Sequence, residues 1–270
     1  MRMTPAVKNL LILNVLFFAA TFVFGRSLDL DLNQWLGLHY VSAKDFGVWQ
    51  LVTFMFMHGS LSHIFFNMFA LWMFGTLIES ALGTRKFVAY YLICGVGSGI
   101  IQEVATAVDI APLISAVDST MSDPTFENVN AFISKHVAVF SSESRQLVSS
   151  FIERYNGVVN TDPAEAASAA RDFLPTYQDM YINAQTTVGA SGAVFGILLA
   201  FGMMFPNMRI MMMFPPIPMK AKWFVIVYGL VELLCGIHGS DYDNVAHWAH
   251  LGGMLFGFIM LRYWRVQRYN

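Results

Sequence analysis

Six apolar stretches dominate this chain and leave it few ways to fold. They run over about 7–25, 61–79, 86–101, 187–205, 223–237 and 245–263. A helix needs about 20 apolar residues to cross a ~30 Å hydrocarbon core. Two of the six are short, which predicts tilt or local thinning. Only 13% of the 270 residues are charged, and mean hydropathy is +0.52; soluble domains carry about 25% charged residues. The spacing therefore predicts an all-α, polytopic membrane protein with six transmembrane helices. The first stretch follows Arg2 and Lys8 and continues through Phe22-Val23-Phe24 past a possible cleavage site, so it reads as a retained anchor. Net charge is −2, which advertises no nucleic-acid surface. Cys94 and Cys235 lie in apolar runs without a CxxC partner and read as buried thiols.

Lysines and arginines set the expected orientation. With the N-terminus inside, ten basic residues fall at inner ends and six outside, four of those six in one long insert. The bias over short loops puts both termini in the cytoplasm. The expected domains are thus 1–104 with 185–270 in the membrane, and a helical insert over 105–184 on the outer side. The insert holds ten acids and four bases. Asp123-Pro124 and Asp162-Pro163-Ala164-Glu165 look like helix starts. Stripes at Phe126, Val129, Ile133, Val137, Phe140 and at Leu147, Val148, Phe151, Ile152, Tyr155 predict amphipathic helices. A solvated spacer is the competing reading. The segment 26–60 begins polar and ends apolar, too short to span, and reads as interfacial or re-entrant.

Polar groups inside spans are costly and call for a reason. His63 and Asn67, four apart, share a face of the second span, and His58 precedes it by about a turn. Ser191 lies in the fourth span, and His247 and His250 in the sixth. On the expected topology these groups sit at similar depth below the outer surface. Gly192/Gly196 and Gly253/Gly257 let the fourth and sixth helices touch, which could bring Ser191 to His247. An imidazole that accepts the hydroxyl proton makes serine a competent nucleophile. The Ser191 backbone N–H, the Asn67 amide and His63 are candidate oxyanion donors. No acid neighbours His247 on its own helix, the closest being Asp241 and Asp243 in the preceding loop. A carboxylate-free dyad is the simplest reading, and His250 reads as packing or cavity lining.

"GASG" at 189–192, "HGSLSHIFFN" at 58–67 and "AHWAHLGG" at 246–253 together resemble the rhomboid family of intramembrane serine proteases. The resemblance covers the six spans. It implies a Ser191–His247 dyad with Asn67, His63 and the Ser191 amide on the oxyanion, and His58, Gly189 and Gly192 in support. It also implies a water-filled cavity open to the outside, in which single-pass transmembrane proteins are cleaved near the outer interface without cofactor or metal. A bacterial inner membrane fits the size and topology. Departures are Trp49-Gln50 where many members have Trp-Arg, Phe195 where some have tyrosine, and the insert, next to the expected substrate entrance, where it could recruit or gate substrate.

Two other classes stay open. Glu232, inside the fifth span, could join the histidines in a proton-coupled transporter. A catalytically inactive rhomboid-like binder of membrane helices is the other. A metal is not expected, because HExxH is absent and no carboxylate completes a ligand set in the sequence.

Overall fold

A computed structural model describes residues 2–211, 218–239 and 245–269. Asp241, Asp243, Met212 and Met213 lie outside the described residues. Helices fall on all six apolar stretches. We label the long helices α1 (Pro5–Leu28), α2 (Leu61–Leu82), α3 (Thr84–Ser122), α4 (Phe126–His136), α5 (Ser142–Val158), α6 (Pro163–Ala184), α7 (Ser191–Met204), α8 (Ala221–His238) and α9 (His247–Tyr263). Among the described residues, α1, α2, α3 and α8 are long and apolar enough to cross a membrane, and α7 is a shorter apolar helix. The protein is a polytopic all-α membrane protein. A two-stranded antiparallel hairpin, β1 (Arg209–Met211) with β2 (Pro218–Lys220), pairs Ile210 with Met219 between α7 and α8.

The chain forms two compact units. The larger comprises residues 1–38, 47–104 and 186–270. At its centre is α7, with eleven of its fourteen residues buried. Glycine permits this. A Cβ at Gly253 would run into the Gly192 carbonyl, and one at Gly192 into the Ser98 side chain. Helices α3, α7 and α9 therefore meet at backbone distance, where small residues favour close packing. The buried Tyr90 hydroxyl donates to the Gly196 carbonyl at 2.7 Å, tying α3 to α7. A π-helical turn at Leu71–Gly75 interrupts α2. The start of α1 is capped from α2, since the Glu79 carboxylate accepts the Ala6 and Val7 N–H groups, each at 2.9 Å. These are donors that a helix start cannot satisfy itself.

The apolar end of the first loop is short helical turns, Gln50–Thr53 and Phe54–Phe56, with Phe54 to Met57 buried. Gln50, at the departure from Trp-Arg, is buried. Its amide and the Trp49 indole both donate to the Trp35 carbonyl at 3.2 Å.

The smaller unit comprises residues 39–46 and 105–185. It has its own core, in which Val129, Phe132, Val148, Phe151, Tyr155, Phe173 and Tyr177 pack with Leu113 and Val117. Phe151 and Phe173 stack at 4.0 Å. Val129, Val148, Phe151 and Tyr155 come from the two stripes and Phe132 from neither, while Phe126, Phe140 and Ile152 are exposed; the segment is packed rather than a solvated spacer. Two local expectations change. Helix α3 runs on to Ser122, so the segment begins inside a helix. Thr125, not Asp123, caps α4 by accepting from the Asn128 N–H, while Asp123 accepts from the Asn128 amide. The second start is as expected: Asp162 accepts from the Glu165 N–H, with Pro163 at the first helical position.

Candidate active site

The site lies within the larger unit. The Gly189 N–H donates to the Phe54 carbonyl at 2.9 Å, which fixes the turn into α7. Gly189 has φ 135°, where a side chain is strained. A Cβ there would lie 2.8 Å from His63 Nε2 and 3.5 Å from Ser191 Oγ. The missing side chain thus leaves a small space bordered by the hydroxyl and the His63 ring. Ser191 begins α7, so its N–H is one of the helix-start donors without an intrahelical partner.

The hydroxyl meets His250, not His247. Ser191 Oγ and His250 Nε2 are 2.8 Å apart. On the far side of the ring, His250 Nδ1 is 2.8 Å from Glu232 Oε2. His247 Nδ1 is 2.6 Å from the same oxygen. The expected Ser191–His247 contact is therefore replaced, and the physical reason is helix phase. His250 stands three and seven residues before Gly253 and Gly257 and shares their stripe against α7. His247 is turned toward α8, where its Cβ lies 3.4 Å from the position a Cβ at Gly236 would take. Glu232 is one turn before Gly236, which delivers the carboxylate to both rings.

Glu232 is 7% exposed and His250 8%. An ionised carboxylate only accepts hydrogen bonds, so each Nδ1 facing it carries the hydrogen. Neutral His250 then presents a lone pair at Nε2 to the Ser191 hydroxyl. Phe195, one turn along α7, stacks on the His250 ring with centroids 4.1 Å apart and planes 8° from parallel. The alcohol, imidazole and carboxylate come from α7, α9 and α8.

The other expected residues gather on α2 and its approach. Ser60 caps the helix by accepting the His63 N–H at 3.1 Å. Asn67 is buried and spends one amide hydrogen on the His63 carbonyl at 3.1 Å. His58, 2% exposed, meets the His63 ring edge-on at 5.0 Å. Burial and the neighbouring His63 push its pKa down to about 4, so it is neutral at pH 7.

The expectation that no carboxylate completes a ligand set also changes. One ligand atom from each of Glu232, His247 and His250 lies within 4.8 Å of the others. From the sequence alone, Glu232 has a use only in a transporter and His250 reads as packing or cavity lining. The signals that could have found them are the 250/253/257 stripe and the 232/236 spacing.

The rhomboid-domain family pattern matches residues 45–115 and 168–266, well over half of the chain. The chain belongs to the rhomboid family. The unmatched middle, 116–167, lies in the smaller unit. Rhomboid protease GlpG of Yersinia pestis (strain Pestoides F) is 27% identical over 117 residues, 43% of this chain and 41% of that protein. Rhomboid protease GlpG of Salmonella choleraesuis (strain SC-B67) is 31% identical over 102 residues, 38% of this chain and 36% of that protein. The rhomboid chain thus spans well under half the length of these relatives.

Proposed function

We propose that this protein is an intramembrane serine endopeptidase that cleaves single-pass transmembrane proteins near the outer face of the membrane. The observation that carries the reading is the 2.8 Å approach of Ser191 Oγ to His250 Nε2, with Glu232 behind the ring. Helix α7 has 14 residues, which at 1.5 Å per residue is about 21 Å long, short of a ~30 Å core. A helix this short cannot reach both faces, and the reading places its Ser191 end below the outer surface, which suits attack on a segment unwound from a substrate helix.

In the proposed reaction Ser191 Oγ adds to the scissile carbonyl while His250 Nε2 takes its proton. Glu232 holds the Nδ1–H, fixes the tautomer and stabilises the imidazolium. The Ser191 N–H, His63 and Asn67 are the donors proposed for the oxyanion. His250 then protonates the leaving amine, and water releases the acyl-enzyme. His58 supports His63. The reading keeps both termini in the cytoplasm and the 105–184 segment outside, where it recruits or gates substrate, in a bacterial inner membrane. Glu232, on which a transporter would depend, has a use within this site.

The test is cleavage in proteoliposomes of a single-pass reporter with a Gly-rich helix. Wild-type protein is expected to release two fragments, and Ser191→Ala and His250→Ala none. Undiminished cleavage by Ser191→Ala would overturn the reading, as would proton-coupled uptake abolished by Glu232→Gln in protein that never cleaves.

A further inference from the structure

We propose that Glu232, His247 and His250 form an inhibitory site for a borderline transition-metal dication, of which Zn²⁺ is the type. The inference rests on the reading of His250 as the base. Two imidazole nitrogens and a carboxylate oxygen are a zinc-type ligand set, and three protein ligands leave a position for water. The three atoms already converge, both Nδ1 atoms lying 2.6 and 2.8 Å from Glu232 Oε2. Zinc–ligand bonds of about 2.0–2.2 Å need the ligand atoms roughly 3.4 Å apart. Small side-chain rotations supply this. The group is not sealed, since each side chain keeps about a tenth of its surface exposed, at 11%, 10% and 10%.

The consequence is set by the two nitrogens of one ring. Without metal, His250 Nδ1 carries the hydrogen and Nε2 the lone pair that faces Ser191. A metal on Nδ1 uses that nitrogen's lone pair. The His247 ring exchanges its Nδ1 proton for one at Nε2, and the His250 ring likewise stays neutral by losing the Nδ1 proton to water and gaining one at Nε2. Nε2–H then donates to Ser191 Oγ and cannot take its proton. Nothing is oxidised or reduced, and the serine stays in place. The dication also neutralises the Glu232 charge that would stabilise the imidazolium. His247 is the discriminating residue, because it supplies a ligand without touching Ser191.

The experiment has a binding arm and a reactivity arm on full-length protein in detergent. Calorimetry with ZnCl₂ on Ser191→Ala protein should show one site, weakened at least tenfold in Ser191→Ala/His247→Ala. Fluorophosphonate labelling of wild-type protein should persist in EDTA, fall at least tenfold as Zn²⁺ saturates that site, and recover on chelation. Whatever labelling rate His247→Ala retains, its midpoint for zinc inhibition should rise at least tenfold. His247→Gln serves equally if the alanine variant is unstable. Zinc that binds no more tightly to Ser191→Ala than to the double variant would overturn the site. Equal zinc inhibition of wild-type and His247→Ala would overturn the mechanism, as would saturated wild-type protein that labels at full rate. Failure of the protease reading shows differently, as wild-type protein that does not label even in EDTA, while calorimetry still reports on the site.

Discussion

His250 and His247 stand three residues apart at the start of α9, and a single carboxylate oxygen divides their roles. Both rings meet Glu232 through Nδ1, and His250 has its other nitrogen on the Ser191 hydroxyl. Its ring is held from two sides, by Glu232 at Nδ1 and by Phe195 across its face. Phe195→Ala removes the stack and should slow fluorophosphonate labelling about tenfold or more, since a misplaced base is costly. Phe195→Tyr keeps the ring and should keep most of the rate; equal rates in all three proteins would remove Phe195 from the account. His58 gives a pH prediction. Its pKa falls from 6.5 to about 4 on folding, so between those values the unfolded state binds more protons and stability rises with pH. The neutral ring's contribution is complete above pH 6.5 and is lost as pH falls toward 4, about 3 kcal/mol in all. Unfolding measured across that range should show this acid limb in wild-type protein and a shallower one in His58→Gln.

At the scale of elements, three contacts set the geometry. Gly253 against Gly192 lets α9 approach α7. Gly253→Val should force them apart, abolish labelling and lower stability, and a variant that labels at the wild-type rate would show that the approach is unnecessary. Glu79 holds the first turn of α1 from α2. Glu79→Ala strands two buried N–H groups and should cost about 3–6 kcal/mol, each bond to a charged acceptor being worth ~1.5–3. Helix α8 brings Glu232 to α9. The six apolar runs, the 192/196 and 253/257 pairs and the Asp162 cap were readable because each depends on local spacing. The partner of Ser191 depends on which face α9 turns to α7 and on an acid from a third helix, 15 and 18 residues before the histidines it serves. A search for acids along one helix and its loop passes over such a residue.

For the whole molecule, the larger unit carries the site and the smaller unit carries its own aromatic core. The hydrophobic stripes foretold α4 and α5, although the first ran on to Val137 and Phe140, beyond the end of α4 at His136. They did not show that α3 continues to Ser122, because an apolar span and an amphipathic extension differ in composition while the backbone is one helix. Phe173, 3% exposed and stacked on Phe151, anchors the smaller core. Phe173→Ala should destabilise that unit by about 3–5 kcal/mol, seen as faster hydrogen exchange over 126–184. Fluorophosphonate labelling of Ser191 should persist. Loss of labelling together with that core would show that the site needs it.

The most direct measurement compares fluorophosphonate labelling of Ser191 in His250→Ala and His247→Ala protein, each checked for folding by its melting curve. We expect His250→Ala to label no faster than Ser191→Ala and His247→Ala to retain a clear signal. Labelling that survives in His250→Ala and vanishes in His247→Ala would contradict the assignment of the base.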